Sequence, residues 1–305
     1  MTATRPFLAA ALAGLSSRRR HIPCRWLYDD VGSALFEVIC TLPEYYLTRA
    51  ETALLQRVGP ELAELAGPGR VVVDLGAGSM SKTRLLLAAL QRPAALVPVD
   101  IARRPLLNHA QRLAAEFPAL EVEPLVADFT QPIVLPPRLA SPVLAFFPGS
   151  TIGNLSRPEA VRLLSRLRRL GGPLLVGVDL VKDPAVLEAA YDDRAGVTAA
   201  FTGNLLARLV RELGAELDPR AFAHRARWNP RQSRIEIHLV CRRDTELRLA
   251  GRRFAFQRGN LVHVENCHKY SPEAFRHLAG RAGWTPMAEW VDAEHHYGLH
   301  LLAPQ

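Results

Sequence analysis

Asp74-Leu75-Gly76-Ala77-Gly78-Ser79 follows the apolar, β-branched run Val71-Val72-Val73, so two glycines stand where the chain leaves a strand and turns toward a helix. Glycines at that point let the backbone come close to a bound nucleotide. The third glycine of the dinucleotide fingerprint is missing, which weakens a nicotinamide dinucleotide and favours S-adenosylmethionine as the cofactor. Asp100, at the end of the next apolar run, is placed to accept hydrogen bonds from two ribose hydroxyls, and Asp128-Phe129 to bond and flank an adenine. Metal chemistry has no comparable support. Cys24, Cys40, Cys241 and Cys267 contain no C-x-x-C pair, and His295-His296 lacks a ligand context, so no metal site and no redox motif are expected.

These residues need a framework, and the chain supplies an alternating one from Arg70 onward. Continuous apolar runs at Val71–Leu75, Ala95–Val99, Leu120–Val126, Val143–Phe147 and Leu174–Leu180 have the composition of parallel strands buried on both faces. Helical segments fall between them, as at Arg104–Glu116 and Pro158–Leu170, which argues for an open, doubly wound α/β sheet. The rhythm then changes. Ala185–Gly214 is helical in character, and short strands at Ala223–Trp228, Ser233–Cys241, Glu246–Leu249, Arg252–Phe256 and Leu261–Asn266 form an antiparallel excursion. A helix at Pro272–Ala282 and two closing strands rejoin the sheet. Two domains are expected: residues 56–181 with 271–305 for the cofactor, and a discontinuous α+β domain, residues 1–55 with 182–270, for the substrate.

The composition sets limits. A chain of 305 residues with 49% hydrophobic and 22% charged side chains buries a real core and is neither disordered nor fibrous. Its net charge of +8 is almost entirely arginine, only Lys82, Lys182 and Lys269 being lysines, which reads as compositional bias more than as a nucleic-acid surface. Phe7, Ala11 and Leu15 recur at helical spacing, so the N-terminus is read as an ordinary helix and not as a secretory signal. Apolar stretches are too short to span a membrane. A cytoplasmic monomer acting on a small molecule, with no nucleic acid and no membrane, is the expectation, and the sequon Asn154-Leu155-Ser156 then has no export route.

Asp74 to Ser79 resembles the first motif of class I methyltransferases. Tyr28-Asp29-Asp30-Val31-Gly32-Ser33-Ala34-Leu35-Phe36 and Leu42-Pro43-Glu44-Tyr45-Tyr46-Leu47-Thr48-Arg49-Ala50-Glu51 resemble the N-terminal signature of the L-histidine Nα-methyltransferase family of ergothioneine biosynthesis. The resemblance continues through Phe146-Phe147-Pro148-Gly149-Ser150-Thr151-Ile152-Gly153-Asn154, Asp179-Leu180-x-Lys182-Asp183 and Glu265-Asn266-Cys267-His268-Lys269-Tyr270. It implies a Rossmann-like enzyme that places three methyl groups on the α-amine of histidine, giving hercynine. By the same resemblance, Tyr45, Asn154 and Tyr191 hold the amino acid's backbone groups, while Tyr28 and Phe36 are the catalytic aromatics close to the reacting amine. Glu265 bonds the imidazole, and Gly76, Gly78, Lys82, Asp100, Asp128 and Phe129 hold the cofactor. Ile237 and Cys267 stand where members carry methionine and serine, and a thiol is a poorer hydrogen-bond partner than a hydroxyl.

The chemistry asks for such a set. Methyl transfer from a sulfonium is an in-line displacement by a neutral amine, so the site needs position more than a strong acid or base. Aromatic rings can attract the methylated, cationic nitrogen without a fixed anion that would retain the product. Three alternatives stay open at this point. They are a paralogue acting on another amino acid or a histidine derivative, a nucleic-acid methyltransferase, and a non-catalytic binding protein.

Overall fold

The computed structural model describes residues 4–139 and 142–305. Residues 1–3 and 140–141 of the expected domains lie outside them. In chain order the first elements are α1 (Thr4–Ser16), α2 (Asp30–Ile39), α3 (Tyr46–Ala66), β1 (Val71–Leu75), α4 (Ser81–Ala89), β2 (Ala95–Asp100) and α5 (Arg103–Glu116). There follow β3 (Glu121–Val122), β4 (Leu125–Val126), β5 (Val143–Phe147), α6 (Arg157–Leu167), β6 (Leu174–Asp179), α7 (Pro184–Tyr191) and α8 (Val197–Leu213). The remainder is β7 (Phe222–Asn229), β8 (Arg234–Cys241), β9 (Thr245–Leu249), β10 (Arg252–Phe256), β11 (Leu261–His268), α9 (Pro272–Arg281), β12 (Trp284–Val291) and β13 (Tyr297–Pro304).

The chain divides into two compact units, one of Met1–Tyr45 with Asp183–Cys267 and the other of Tyr46–Lys182 with His268–Gln305. The boundary expected between residues 55 and 56 needs correction. It falls inside α3, a helix that runs unbroken from Tyr46 to Ala66 and buries Leu54, Leu55 and Val58. Residues 46–55, 182 and 268–270 therefore belong with the sheet.

The larger unit is built on one sheet of order β12-β13-β6-β5-β1-β2-β3, with β4 also paired to β2. β2, β1, β5 and β6 run parallel, while β13 lies antiparallel to both β6 and β12. Every residue of β1, β5 and β6 is buried, as covered faces require of a parallel sheet. The expected strand at Leu120–Val126 is split into β3 and β4 because Pro124 has no N–H for the ladder. This order, with an antiparallel strand inserted next to β6, is the Rossmann-like sheet of class I methyltransferases.

The other unit is α+β. Phe7, Ala11 and Leu15 of α1 are buried, as their helical spacing requires, and Phe201, Leu205, Leu206 and Leu209 line the buried face of α8. β7 and β8 form an antiparallel pair extended by β11, and β9 and β10 a separate hairpin. Alternation along β8 turns Ile235, Ile237, Leu239 and Cys241 inward. Among the described residues no helix is long and apolar enough to cross a membrane.

Candidate functional site

In the sheet unit, the turn after β1 begins at a carboxylate with nowhere to go. Asp74 is fully buried; its Oδ2 accepts the Thr83 hydroxyl at 2.5 Å, and its Oδ1 has no hydrogen-bond partner among the described residues. Burial pushes its pKa up to about 7 against a reference of 3.8, the Thr83 bond only partly opposing this. A folded-state value above the unfolded one means that this group's stabilisation is complete below about pH 4 and is lost as pH rises through about 7. Asp74→Asn is therefore expected to gain on wild type in melting temperature across that window. A constant difference between the two at every pH would show that the carboxyl titrates normally.

The turn itself is open backbone. Gly76 has φ +74°, a conformation that side chains resist, and the Phe129 ring lies 3.6 Å from where its Cβ would stand. Asp100 ties the turn down, Oδ2 accepting the Gly78 N–H at 3.2 Å and Oδ1 the Ala102 N–H at 2.9 Å. Each carboxylate oxygen keeps a second lone pair for a ligand hydroxyl. Asp128 Oδ1 accepts the Thr130 N–H and hydroxyl at 2.9 and 2.6 Å, fixing the loop that carries Phe129. Phe129 stacks edge-on against Phe147 with centroids 5.3 Å apart. A bare turn, an unpartnered buried oxygen, an acid at the second strand and a ring over the first glycine together fit an adenosyl ligand such as S-adenosylmethionine.

Asn154 closes a short turn, Thr151–Asn154, that follows β5 in the same unit. The preceding Ser150 adopts φ +55°, held by the Asp179 N–H donating to its hydroxyl at 2.9 Å. His268 Nδ1 pairs with the Gly153 carbonyl at 2.9 Å. Strain at a functional turn persists only when its surroundings fix it, as these contacts do.

In the α+β unit the expected aromatics meet. Tyr28 and Phe36 lie edge to face at 5.7 Å, Phe36 and Tyr45 at 6.2 Å, and Tyr45 and Tyr191 at 6.0 Å. Phe201 of α8 completes the cluster at 5.4 Å from Tyr28 and 6.0 Å from Phe36. It was missed by sequence reasoning because its helical period marks only a core residue. The backbone of Tyr191 is held by His224 Nε2, 2.8 Å from its carbonyl, and burial lowers the pKa of this histidine.

Glu265 of β11 is buried and lies among weak acids. Burial pushes the Cys24 thiol far up, and the Glu265 carboxylate, to which that thiol donates, pushes it further. Tyr28 is likewise raised well above 10, by burial first and then by Glu265, Cys24, Tyr45 and Cys267. Tyr28 therefore stays a neutral hydroxyl. Cys24 is a second residue that the sequence did not single out, since it lies far from Glu265 along the chain. Cys267 is buried two residues beyond Glu265, and Ile237 stands in the inward row of β8, the strand beside β11.

The chain's three lysines share one feature. Lys82 Nζ lies 2.5 Å from the buried Glu51, while Lys182 and Lys269 each lie 2.5 Å from the buried Asp179, which also accepts the Tyr46 hydroxyl at 2.8 Å. Burial acts to raise the pKa of Asp179, and Lys269 and Lys182 outweigh it, so the pKa is lowered; burial takes that of Lys182 down to about 8. Each of the three thus sets a compact ammonium against a buried carboxylate.

Comparison with known proteins bears on this arrangement. The family described as "Histidine-specific methyltransferase, SAM-dependent" matches residues 7–304. The chain is 38% identical to Histidine N-alpha-methyltransferase of Mycolicibacterium smegmatis, over 95% of this chain and 92% of that protein. It is 29% identical to Ergothioneine biosynthesis protein 1 of Neurospora crassa, over 93% of this chain and 33% of that longer protein. A possible exported protein of known structure from Bordetella parapertussis shares the fold at a TM-score of 0.50 and 15% identity, over 96% of this chain and 86% of that one. The match along nearly the whole chain, over the glycine turn and the aromatic cluster alike, places this protein in the histidine-specific, S-adenosylmethionine-dependent methyltransferase family.

Proposed function

We propose that the protein transfers methyl groups from S-adenosylmethionine to the α-amine of L-histidine, three in succession, giving hercynine. The observation that carries this reading is the aromatic cluster of Tyr28, Phe36, Tyr45, Tyr191 and Phe201 in a chain 38% identical to a histidine Nα-methyltransferase. The cofactor, when bound, supplies an electrophilic methyl group. Gly76, Gly78, Lys82, Asp100, Asp128 and Phe129 hold it, Asp100 through the ribose and Phe129 against the base.

The chain's own residues do the rest by position. Tyr28 is a neutral hydroxyl and not a base of lowered pKa, so it orients the amine without taking a charge. Tyr45, Tyr191 and Asn154 take the amino-acid end by hydrogen bonds. Each methylation adds bulk and leaves a cationic nitrogen; after the first and second the ammonium releases a proton to solvent and regains its lone pair, and only the third fixes the charge. The rings stabilise these cations by about 0.5–2 kcal/mol without an ion pair that would slow release. Glu265 accepts a hydrogen bond from the imidazole, and the Cys24 thiol donates to the same carboxylate.

The test is direct. Purified protein is given S-adenosylmethionine and each amino acid in turn, and the products are weighed and fragmented. Histidine should gain up to three methyl groups, all on the α-nitrogen. A ring-methylated product would invert the orientation assigned to Asn154, Tyr45 and Tyr191. The second reading, a paralogue for another amino acid or a histidine derivative, is favoured only by Ile237 and Cys267 in the side-chain pocket. It predicts that histidine is left unmodified while another compound in the panel is methylated.

A further inference from the structure

Glu51 is a carboxylate with no exposed surface, set in α3, and a charge so buried must be paired. Its partners are specific. Lys82 Nζ is 2.5 Å from Oε2, and the Gly149 N–H donates to both oxygens, at 2.9 and 3.1 Å. Room for the carboxylate is made in the middle of β6, where Gly177 replaces a side chain: a Cβ there would collide with Glu51 Oε1 and with the Tyr297 hydroxyl. Glycine weakens a strand interior and is kept where another group must approach closely.

Both partners of Glu51 border the C-terminal ends of the parallel strands, where open α/β sheets bind their ligands. Lys82 is in the first turn of α4, directly after the glycine turn, and its side chain keeps 17% of its surface exposed while that of its partner keeps none. Gly149 opens the strained turn after β5. A lysine has a flexible four-carbon stem and three N–H donors. One donor committed to a buried carboxylate fixes the stem and leaves two for a ligand.

We propose that Glu51 is a positioning residue for the cofactor: it holds the Lys82 ammonium beside the Gly149 amide so that Lys82 can take the carboxylate at the amino-acid end of S-adenosylmethionine. This rests on the reading of Lys82 as a cofactor-binding residue. It also accounts for Gly177, whose missing side chain is what lets the carboxylate in.

The test compares two ligands by calorimetry: S-adenosylhomocysteine, which has the amino-acid end, and 5′-methylthioadenosine, which has the same nucleoside and sulfur without it. Glu51→Gln should weaken S-adenosylhomocysteine about tenfold, the loss of one fixed charge-assisted contact, and leave 5′-methylthioadenosine unchanged. Lys82→Met should erase the preference for the first ligand over the second. The double variant Glu51→Gln with Lys82→Met, which leaves no unpaired buried charge, should bind S-adenosylhomocysteine as Lys82→Met does. If Lys82→Met keeps the preference, the underlying reading of Lys82 fails. If it loses the preference while Glu51→Gln weakens both ligands alike, leaves both unchanged or tightens the first, Glu51 does not act through Lys82. Additive losses in the double variant overturn the proposal in the same way, whatever the stability of either single variant.

Discussion

Glu265→Ala is expected to lower kcat/KM for histidine by about 30- to 1,000-fold, roughly 2–4 kcal/mol, with cofactor binding unchanged. The size follows from burial. Glu265 stands 6% exposed on β11, and its charge raises both the Cys24 thiol and the Tyr28 phenol. An imidazole N–H that loses this acceptor is left unpaired away from water, which costs more than the net value of the bond it made. The truncation also removes the charge that discriminates against apolar side chains, so competition between histidine and tryptophan should shift toward tryptophan even as total turnover falls. An undiminished preference for histidine in the variant would place selectivity elsewhere and overturn the role given to Glu265.

Asp100→Ala should weaken S-adenosylhomocysteine by about 1.5–3 kcal/mol, close to 10- to 150-fold, because it deletes the charged acceptor for the ribose hydroxyls. The carboxylate also ties down the Gly78 and Ala102 amides, so part of the loss comes from a looser turn. Asp100→Asn separates the two contributions. It keeps one acceptor for the turn and removes the charge, and its affinity should fall between wild type and alanine. Calorimetry on the three proteins decides this, and equal affinity in all three would reduce Asp100 to a loop cap.

The sheet unit was legible because its strands are buried on both faces and write themselves as unbroken apolar runs; β1, β2, β5 and β6 fall within a residue or so of the expected positions. Turn glycines and the strand-end acids Asp100 and Asp128 follow from the same logic. What stayed hidden depends on distant pairing. Glu51 reads as one more surface acid in α3 until Gly177, in another strand, shows the space made for it. Cys24 and Phe201 acquire meaning only beside Glu265 and Tyr28, and no local period encodes such a meeting. The domain boundary shifts for a related reason: α3 begins inside the Leu42–Glu51 motif and runs on to Ala66, so the motif does not mark the point at which the chain changes partners.

The placement of β13 between β6 and β12 has a consequence for how the protein is made. By the time Asp179 has left the ribosome, the parallel strands β1, β2, β5 and β6 are all available to pair, but β13, which covers the outer edge of β6, comes more than a hundred residues later. The whole of residues 183–267 must be synthesised in the interval, while an apolar strand edge lies uncovered. Late, non-local closure of this kind is slow and exposes nascent chains to edge-to-edge association. Yield on expression should therefore depend more on temperature and on chaperone supply than on the stability of the finished fold, and loss of the last strand, Tyr297–Pro304, should lead to aggregates and not to a weakened enzyme.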